Sequence, residues 1–207
     1  RPKQGDVLAL RDEDGDGKAE KRATAIADLK DVHGIALHDG KVWLAAPKTI
    51  WRAKVKADGS FDKPEVLIDD LPDGGQHPNR TMAFGPDGRL FVSVGSDCNA
   101  CEETNPEHAT MLVMNADGKE RKVFATGLRN TIGFGWHPQT KDMWGMDHGS
   151  DDRGDDLPPE ELNRLVEGKD YGWPWAFADK KVDPIMKEPS KGTKQEKVAA
   201  SEGMVLG

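Results

Sequence analysis

The sequence predicts an all-β chain, because three segments repeat one hairpin pattern at a nearly constant interval. Each segment has an apolar run, a turn signal and a run of alternating polarity, which together are typical of two antiparallel strands. The segments start near residues 33, 80 and 130, which are 47 and 50 residues apart. The 23 glycines and 13 prolines also favour a turn-rich chain over a helical one.

This interval favours a β-propeller. Repeats of about 40–50 residues that are filled with short strands are typical of propeller blades, and 207 residues would make about four blades. An antiparallel sandwich is the alternative, but it does not explain the long period. We expect residues 1–181 to form a partial propeller. Residues 182–207, which are rich in Lys, Glu, Ser and Gly, are expected to be an exposed insertion or linker that leads to further blades.

The individual elements follow from local pattern. Because Pro158 and Pro159 are tolerated in a first helical turn, residues 160–166 are predicted to form the chain's helix. Alternating or apolar runs bounded by turn residues predict the strands. These runs are 5–10, the hairpin at 33–47, 49–55, 65–68, the hairpin at 80–95, 110–115, 122–125 and the hairpin at 130–147.

Charge and hydropathy exclude some classes of function. The formal net charge of −8 argues against nucleic acid or an anionic membrane surface as a partner. No apolar run approaches the ~20 residues that a membrane-spanning helix needs. We therefore expect neither a nucleic-acid partner nor a membrane span.

An acidic loop near the start of the sequence predicts a calcium site. Asp12, Asp14 and Asp16 occupy alternate positions around two glycines, and Glu20 follows as a fourth oxygen ligand. Alternate carboxylates on a tight turn converge on one cation, as in calcium-binding loops. No helices flank the loop, so we expect a site in a strand connection. An acidic hairpin turn without a metal is the alternative.

The two cysteines, Cys98 and Cys101, form one Cys-x-x-Cys motif. Glu102 stands where a c-type haem site needs His, which excludes that chemistry. A zinc site would lack ligands, because there is no second cysteine pair. A local disulfide is the interpretation that we favour, with two free thiols as the alternative.

Polar loops recur beside the hairpin repeats. One precedes the second repeat at 74–80, another precedes the third at 127–130, and a third follows it at 147–152. Loops at related positions of a propeller present their side chains together, so we expect one shared site at the propeller axis. The longer segment 146–175 adds carboxylates, which suit Ca²⁺, and an aromatic cluster that favours burial. A solvated acidic loop is the alternative for its charges.

Several of these motifs resemble the soluble PQQ-dependent sugar dehydrogenases, and most closely the L-sorbosone and aldose sugar dehydrogenase branch. The resemblance extends over most of residues 5–178. It rests on DEDGDGKAE at 12–20, HGIA at 33–36, GGQHPNRTMAFGPDG at 74–88, CNACE at 98–102, GLRN at 127–130, LPPEELNRL at 157–165 and DYGWP at 170–174.

The family resemblance implies a six-bladed propeller that is periplasmic or secreted. It implies oxidation of an aldose, or of a sorbosone-like aldehyde, by hydride transfer to calcium-bound PQQ. It also implies an external electron acceptor, either a cytochrome c or a quinone. The alternatives are a non-catalytic, calcium-stabilised propeller that binds carbohydrate or protein, and a purely structural calcium-stabilised domain.

The same resemblance assigns roles to individual residues. His77 is the implied catalytic base, and Arg129 is the implied partner of the reduced quinone. The residues implied to contact the cofactor are Gln76, Arg80, Asp97, Arg129, Asn130, His148 and Gly149. Gly149 and Ser150 are implied to hold the cofactor's calcium, and Glu161 and Tyr171 a second, structural calcium. The sequence departs from the family pattern at Gln76, where an acidic partner of the catalytic histidine is expected.

Overall fold

The computed structural model describes residues 5–179, 181–186 and 203–206, and every regular element in these ranges is a β-strand. This confirms the all-β prediction. The strands, in chain order, are β1 (Val7–Arg11), β2 (Lys21–Ile26), β3 (Gly34–His38), β4 (Lys41–Ala45), β5 (Ile50–Lys54), β6 (Glu65–Ile68), β7 (Met82–Phe84), β8 (Leu90–Val94), β9 (Thr110–Met114), β10 (Lys122–Thr126), β11 (Thr131–Trp136), β12 (Met143–Asp147), β13 (Glu160–Leu165), β14 (Ala176–Phe177), β15 (Lys181–Val182) and β16 (Gly203–Leu206).

Three four-stranded antiparallel sheets make up most of the chain. Their strand orders are β3-β4-β5-β6, β7-β8-β9-β10 and β11-β12-β13-β16. Two smaller sheets pair β1 with β2 and β14 with β15. An up-and-down sheet of four strands is the unit from which a propeller blade is made. Each predicted hairpin repeat supplies the first two strands of one such sheet.

The chain divides into two compact units, one ending at Leu71 and the other starting at Pro72. In the first unit the core consists of Ile26, Val42, Leu44 and Ala53, and Trp51 packs against it. Ile26 belongs to the β1–β2 sheet, and the other side chains belong to the four-stranded sheet. Val42 and Leu44 lie two residues apart in β4 and therefore face the same side.

In the second unit the core joins the second and third four-stranded sheets. Strands β8 and β9 are buried along their whole length. The Phe91 ring meets Phe124 and Trp136 edge-on, in each case with 5.2 Å between ring centroids. Edge-to-face contacts of this kind contribute about 0.5–1.5 kcal/mol beyond simple burial. This core supports the loops that follow β8, β10 and β12.

The prediction of a helix at 160–166 was wrong, because Glu160–Leu165 form strand β13. Glu161, Asn163 and Leu165 are buried while Glu160 and Arg164 are exposed, which is the two-residue period of a strand. Residues 161–165 of β13 pair with β12. Pairing with the exposed edge of β12 outweighs the weak helical preference of this run.

The C-terminal part of the chain returns to the third sheet. β16 pairs with β13, with Glu160 opposite Leu206 and Asn163 opposite Gly203. The proposed insertion or linker at 182–207 therefore includes a strand. Residues 187–202 lie outside the described ranges, and the boundary at 181 stays a prediction.

Buried and exposed leucines of the first hairpin offer a matched test of the core. Leu44 is 1% exposed and Leu37 is 69% exposed, although both belong to the β3–β4 hairpin. We expect Leu44→Ala to lower the free energy of unfolding by about 2–5 kcal/mol. Leu37→Ala should change it by less than about 0.5 kcal/mol. Urea unfolding of both variants measures the difference, and equal effects would contradict this packing.

Candidate active site

Gly95 and Ser96, which follow β8, lie against two loops, at 74–80 and 127–130. A Cβ atom at Gly95 would lie 2.5 Å from the Cβ of His77 and 3.3 Å from Oδ1 of Asn130. The Ser96 N–H donates to the carbonyl oxygen of Arg129 at 2.7 Å. Only glycine leaves room for this approach, so residues from the 74–80 and 127–130 loops lie side by side.

Ser96 also fixes the proton on His77. Nδ1 of His77 lies 3.0 Å from the Ser96 carbonyl oxygen and 2.9 Å from its hydroxyl oxygen. The Ser96 hydroxyl donates to the carbonyl oxygen of Cys98, so both Ser96 oxygens act as acceptors toward the ring. Nδ1 therefore carries the proton, and Nε2 is left as the basic nitrogen.

The electrostatic surroundings keep His77 neutral. Partial burial is the largest influence and lowers the pKa of His77 below its ordinary value. The hydrogen bond to the Ser96 carbonyl acts in the opposite direction, and the charge of Arg129 lowers the pKa further. The carboxylate of Asp151 raises it, and His148 lowers it slightly. A neutral imidazole at neutral pH can accept a proton.

Arg80 lies beneath the loop that carries His77, and the cofactor contact implied for it stays a prediction. The side chain is completely buried, and burial lowers the pKa of its guanidinium to about 10. It donates to the carbonyl oxygens of Pro72, Asp73 and His77 at 3.1, 2.8 and 3.0 Å. These bonds shape the loop that carries His77, so we propose a loop-positioning role for Arg80.

Gln76 and Asp97 form a second connection between the His77 loop and the end of β8. The N–H of Gln76 donates to the Asp97 carbonyl oxygen at 2.8 Å. Both residues are exposed. Their side chains are therefore accessible, and the cofactor contacts implied for them stay predictions.

Arg129 is buried and held by several partners. Its side chain is 4% exposed, and its Nη2 group donates to the Asp151 carboxylate at 2.7 Å. Nε and Nη2 also donate to the backbone and side-chain oxygens of Asn99, both at 2.9 Å. Among the described residues, the side-chain hydrogen bonds of Arg129 use Nε and Nη2, and none uses Nη1.

Asp147 is the last residue of β12, and its carboxylate binds backbone and side-chain donors of the 129–131 segment. Its carboxylate accepts the N–H groups of Arg129 and Asn130 at 3.0 and 3.1 Å. It also accepts the Thr131 hydroxyl at 2.9 Å. Burial nevertheless raises the pKa of Asp147 to about 7, and the neighbouring Glu161 carboxylate adds to the rise.

The residues implied to hold calcium line one small cavity of about 20 Å³, together with Asp147. The implied ligands that line it are Gly149, Ser150, Glu161 and Tyr171. His148 lies at the neighbouring turn, where its N–H donates to the Asn130 carbonyl oxygen at 3.2 Å. The structure thus brings together the two implied calcium groups, which the family resemblance treats as separate sites.

The donor atoms around Glu161 fit a cation. Burial raises the pKa of Glu161, because the carboxylate has few partners to offset its desolvation. Its oxygens accept the Asn163 amide at 2.9 Å and the backbone N–H of Ala178. Oδ1 of Asn163 is buried and accepts no hydrogen bond from the described residues. The Tyr171 hydroxyl bonds the backbone of Arg164 and Val166, so only its carbonyl oxygen suits a metal.

The acidic loop of the first unit lies between β1 and β2, as the sequence predicts. Ligand atoms of Asp12, Asp14, Asp16 and Glu20 lie within 4.8 Å of one another. Asp12 accepts the N–H groups of Gly15 and Gly17 at 2.7 and 2.9 Å, and these bonds lower its pKa. The carboxylates are exposed, and calcium binding by this loop stays a prediction.

The cysteine pair forms the favoured disulfide, Cys98–Cys101, which confirms that interpretation. Sequence reasoning missed three residues that shape the site, namely Asn99, Asp147 and Asp151. The signal was present in part, because Asn99 lies inside the Cys-x-x-Cys motif and the other two lie in a polar loop.

The four-stranded antiparallel sheets have the form of β-propeller blades, and the polar residues described above lie in loops at the ends of their strands. The family model described as Glucose / Sorbosone dehydrogenase matches residues 39–202, and the chain belongs to this family. A protein of Borreliella burgdorferi, named only as uncharacterized, is 35% identical over 173 residues. The match covers 77% of this chain and 45% of that protein.

Two solved structures share the fold. The PQQ domain of pyranose dehydrogenase from Coprinopsis cinerea, in its holo form, has a TM-score of 0.66 at 19% identity, over 81% of this chain and 47% of that chain. A calcium structure of a family AA12 carbohydrate-active enzyme from Trichoderma reesei has a TM-score of 0.68 at 20% identity, over 94% and 58%. These likenesses confirm the β-propeller prediction. The chain spans about half the length of such relatives.

One further observation concerns membranes. Within the residues that the structure describes, no helix has the length and apolar character that crossing a bilayer requires.

Stability should depend on pH through Asp147. Its folded pKa, about 7, exceeds the ordinary value of 3.8, so the folded chain holds this proton more tightly. The contribution of Asp147 to the free energy of unfolding is therefore complete below pH ~4. It is lost as the pH rises through ~7, and the free energy of unfolding falls by no more than about 1.4 kcal/mol per pH unit. We expect Asp147→Asn to flatten this slope. The free energy of unfolding, measured in EDTA between pH 4.5 and 7.5, reports it.

The matched control is Asp117→Asn, because Asp117 is an exposed turn residue of the same unit whose pKa is lowered. This variant should keep the wild-type slope. A slope that Asp147→Asn leaves unchanged would contradict the assignment of the titration to Asp147.

Calcium should stabilise the chain partly through the acidic loop. At a free Ca²⁺ concentration of about 100 times the Kd, one site adds about 2.7 kcal/mol to the free energy of unfolding. The double variant Asp12→Asn, Asp16→Asn should lose this increment, whereas Asp39→Asn, in another turn of the same unit, should keep it. Unfolding with Ca²⁺ and with EDTA measures the increment. An equal calcium response in all three proteins would exclude a site in this loop.

Proposed function

We propose that the full-length protein containing this chain is a sugar dehydrogenase that uses PQQ and Ca²⁺. Its substrate is an aldose or a sorbosone-like aldehyde. The observation that carries the proposal is the contact of Ser96 with both His77 and Arg129, in a chain of the Glucose / Sorbosone dehydrogenase family. A base and a cationic donor held beside each other can assist oxidation of a hydroxyl group, because the base takes the hydroxyl proton and the cation offsets the negative charge that develops on the hydride acceptor.

The donor set of the site supports PQQ as the cofactor. PQQ is anionic and carries carboxylate and quinone oxygens, which are hydrogen-bond acceptors. The Arg129 guanidinium, the Asn130 amide and the His148 imidazole provide donors, and Gly95 lets the loops that carry them approach closely. The similar pyranose dehydrogenase structure from Coprinopsis cinerea is that of a PQQ domain, which supports the same choice.

The oxygen-rich cavity supports a calcium ion. Glu161 and the backbone carbonyl groups of Gly149, Ser150 and Tyr171 would hold it, because hard cations prefer carboxylate and carbonyl oxygens. The raised pKa of Glu161 is consistent with a cation nearby, and so is the buried Oδ1 of Asn163, which has no hydrogen-bond partner among the described residues. Burial of the Glu161 and Asp147 carboxylates is costly, and the charge of a bound calcium ion would offset this cost.

The reaction divides between the cofactor and the chain. When bound, PQQ with Ca²⁺ supplies an electrophilic quinone that takes up the hydride lost by the sugar. His77 accepts the hydroxyl proton of the sugar at Nε2, because the Ser96 carbonyl oxygen keeps the ring proton on Nδ1. The Ser96 carbonyl thus replaces the acidic partner that is absent at Gln76. Arg129 offsets negative charge on the bound anion.

Location and partners follow from this function. The Cys98–Cys101 disulfide favours an oxidising compartment, so we propose that the protein is periplasmic or secreted. Electrons then leave the site to an external acceptor, which we propose is a cytochrome c or a quinone.

Removal of the base should separate turnover from cofactor binding. With PQQ, Ca²⁺ and an aldose, dye reduction by His77→Ala should be about 10²–10⁴-fold slower than that of the wild-type protein. The affinity for PQQ should be unchanged, because His77 acts on the sugar. Both quantities are measured in the full-length protein that contains this chain.

His137→Ala is the control, because His137 is an exposed histidine in the turn between β11 and β12. Its turnover should equal that of the wild type. Unchanged turnover in His77→Ala would exclude His77 as the base. Glycan binding without any dye reduction by the wild-type protein would favour the non-catalytic, carbohydrate-binding alternative.

A further inference from the structure

Among the described residues, Asn99 accepts more side-chain hydrogen bonds from Arg129 than any other residue does. It lies between Cys98 and Cys101, inside the small ring that the disulfide closes. Its backbone carbonyl oxygen accepts a hydrogen bond from Nε of Arg129, and its side-chain Oδ1 accepts one from Nη2, both at 2.9 Å. Two acceptors from one residue thus match two adjacent donors of the planar guanidinium.

Asn99 also holds the loop that follows β12. Its Oδ1 accepts the Asp151 N–H at 2.7 Å, and its Nδ2 donates to the Asp151 carbonyl oxygen at 3.1 Å. The Asp151 carboxylate in turn accepts Nη2 of Arg129 at 2.7 Å. The indole N–H of Trp173 lies 3.3 Å from the Asn99 carbonyl oxygen. Asn99, Arg129 and Asp151 therefore form a closed network in which each member contacts the other two.

The disulfide ring connects this network to His77. The Ser96 hydroxyl, which contacts Nδ1 of His77, donates to the Cys98 carbonyl oxygen at 2.6 Å. A loop residue loses conformational freedom when it is ordered, and a short covalent ring removes much of that freedom in advance. The ring thus presents the Asn99 oxygens in one geometry.

We propose that Asn99, held in the Cys98–Cys101 ring, is a positioning residue that orients the Arg129 guanidinium toward an anionic cofactor. This inference rests on the proposed function, because the anion is taken to be PQQ. The role of the Cys98–Cys101 disulfide in the site is then to hold Asn99 in the geometry that contacts Arg129. Asn99 itself need not touch the cofactor.

The first test reads the position of Arg129 directly. In ¹⁵N-arginine-labelled protein, the Nε–H signal of Arg129 is identified by its loss in Arg129→Lys. We expect hydrogen exchange of this N–H to be at least about tenfold faster in Asn99→Ala, because that variant removes the acceptor that anchors Nη2. Asn99→Asp retains the acceptor oxygens and should restore most of the protection. Asn115→Ala, at an exposed turn, should match the wild type.

The second test reads cofactor binding. In the full-length protein with Ca²⁺, Asn99→Ala should weaken PQQ binding by about 10–100-fold, as expected for one lost charge-assisted interaction. Asn99→Asp should retain most of the affinity. The double variant Cys98→Ser, Cys101→Ser should behave like Asn99→Ala. Thermal unfolding shows whether each variant is folded at the assay temperature.

The two tests separate this inference from the proposed function. Wild-type exchange rates and wild-type PQQ affinity in Asn99→Ala would overturn the positioning role. If the wild-type protein binds no PQQ, the proposed function fails, and the Arg129 signal alone then decides whether Asn99 orients the guanidinium. Fast exchange in Asn99→Ala together with slow exchange in Asn99→Asp would support the positioning role in that case as well.

Discussion

The close approach at Gly95 and Ser96 is the constraint on which the site depends. The loops at 74–80 and 127–130 meet here because Gly95 has no side chain. Ser96 holds them through its backbone N–H, its carbonyl oxygen and its hydroxyl oxygen. The Ser96 N–H fixes the backbone of Arg129, and its two oxygens fix the tautomer of His77. A larger residue at 95 would separate the base from the cation without touching either functional group.

Buried charges shape the loops around this point. Arg80 and Arg129 are almost fully buried, and each reduces the cost of burial by donating to several oxygen atoms. Asp147 performs the complementary task by accepting three donors from the 129–131 segment. Its raised pKa shows that these bonds do not fully offset its desolvation.

The regular part of the fold could be predicted from sequence, because alternating polarity and Asp-Gly turns are local signals. The run at 160–165 was misjudged because its structure depends on the edge of β12, which is distant in sequence. His77 and Arg129 were found through motifs. Asn99 and Asp147 were missed, since their roles arise from contacts across 30 and 18 residues. The complete burial of Arg80 could not be predicted, because a polar loop gives no local signal of burial, and the cofactor contact implied for Arg80 stays a prediction.

The most direct measurement is a crystal structure of the full-length protein grown with PQQ and Ca²⁺. We expect PQQ to lie beside the guanidinium of Arg129, with room for the sugar between PQQ and Nε2 of His77. We also expect a cation within bonding distance of the oxygens that line the 149–171 cavity. PQQ bound elsewhere on the protein, with the Ser96 contacts to His77 and Arg129 intact, would contradict the account.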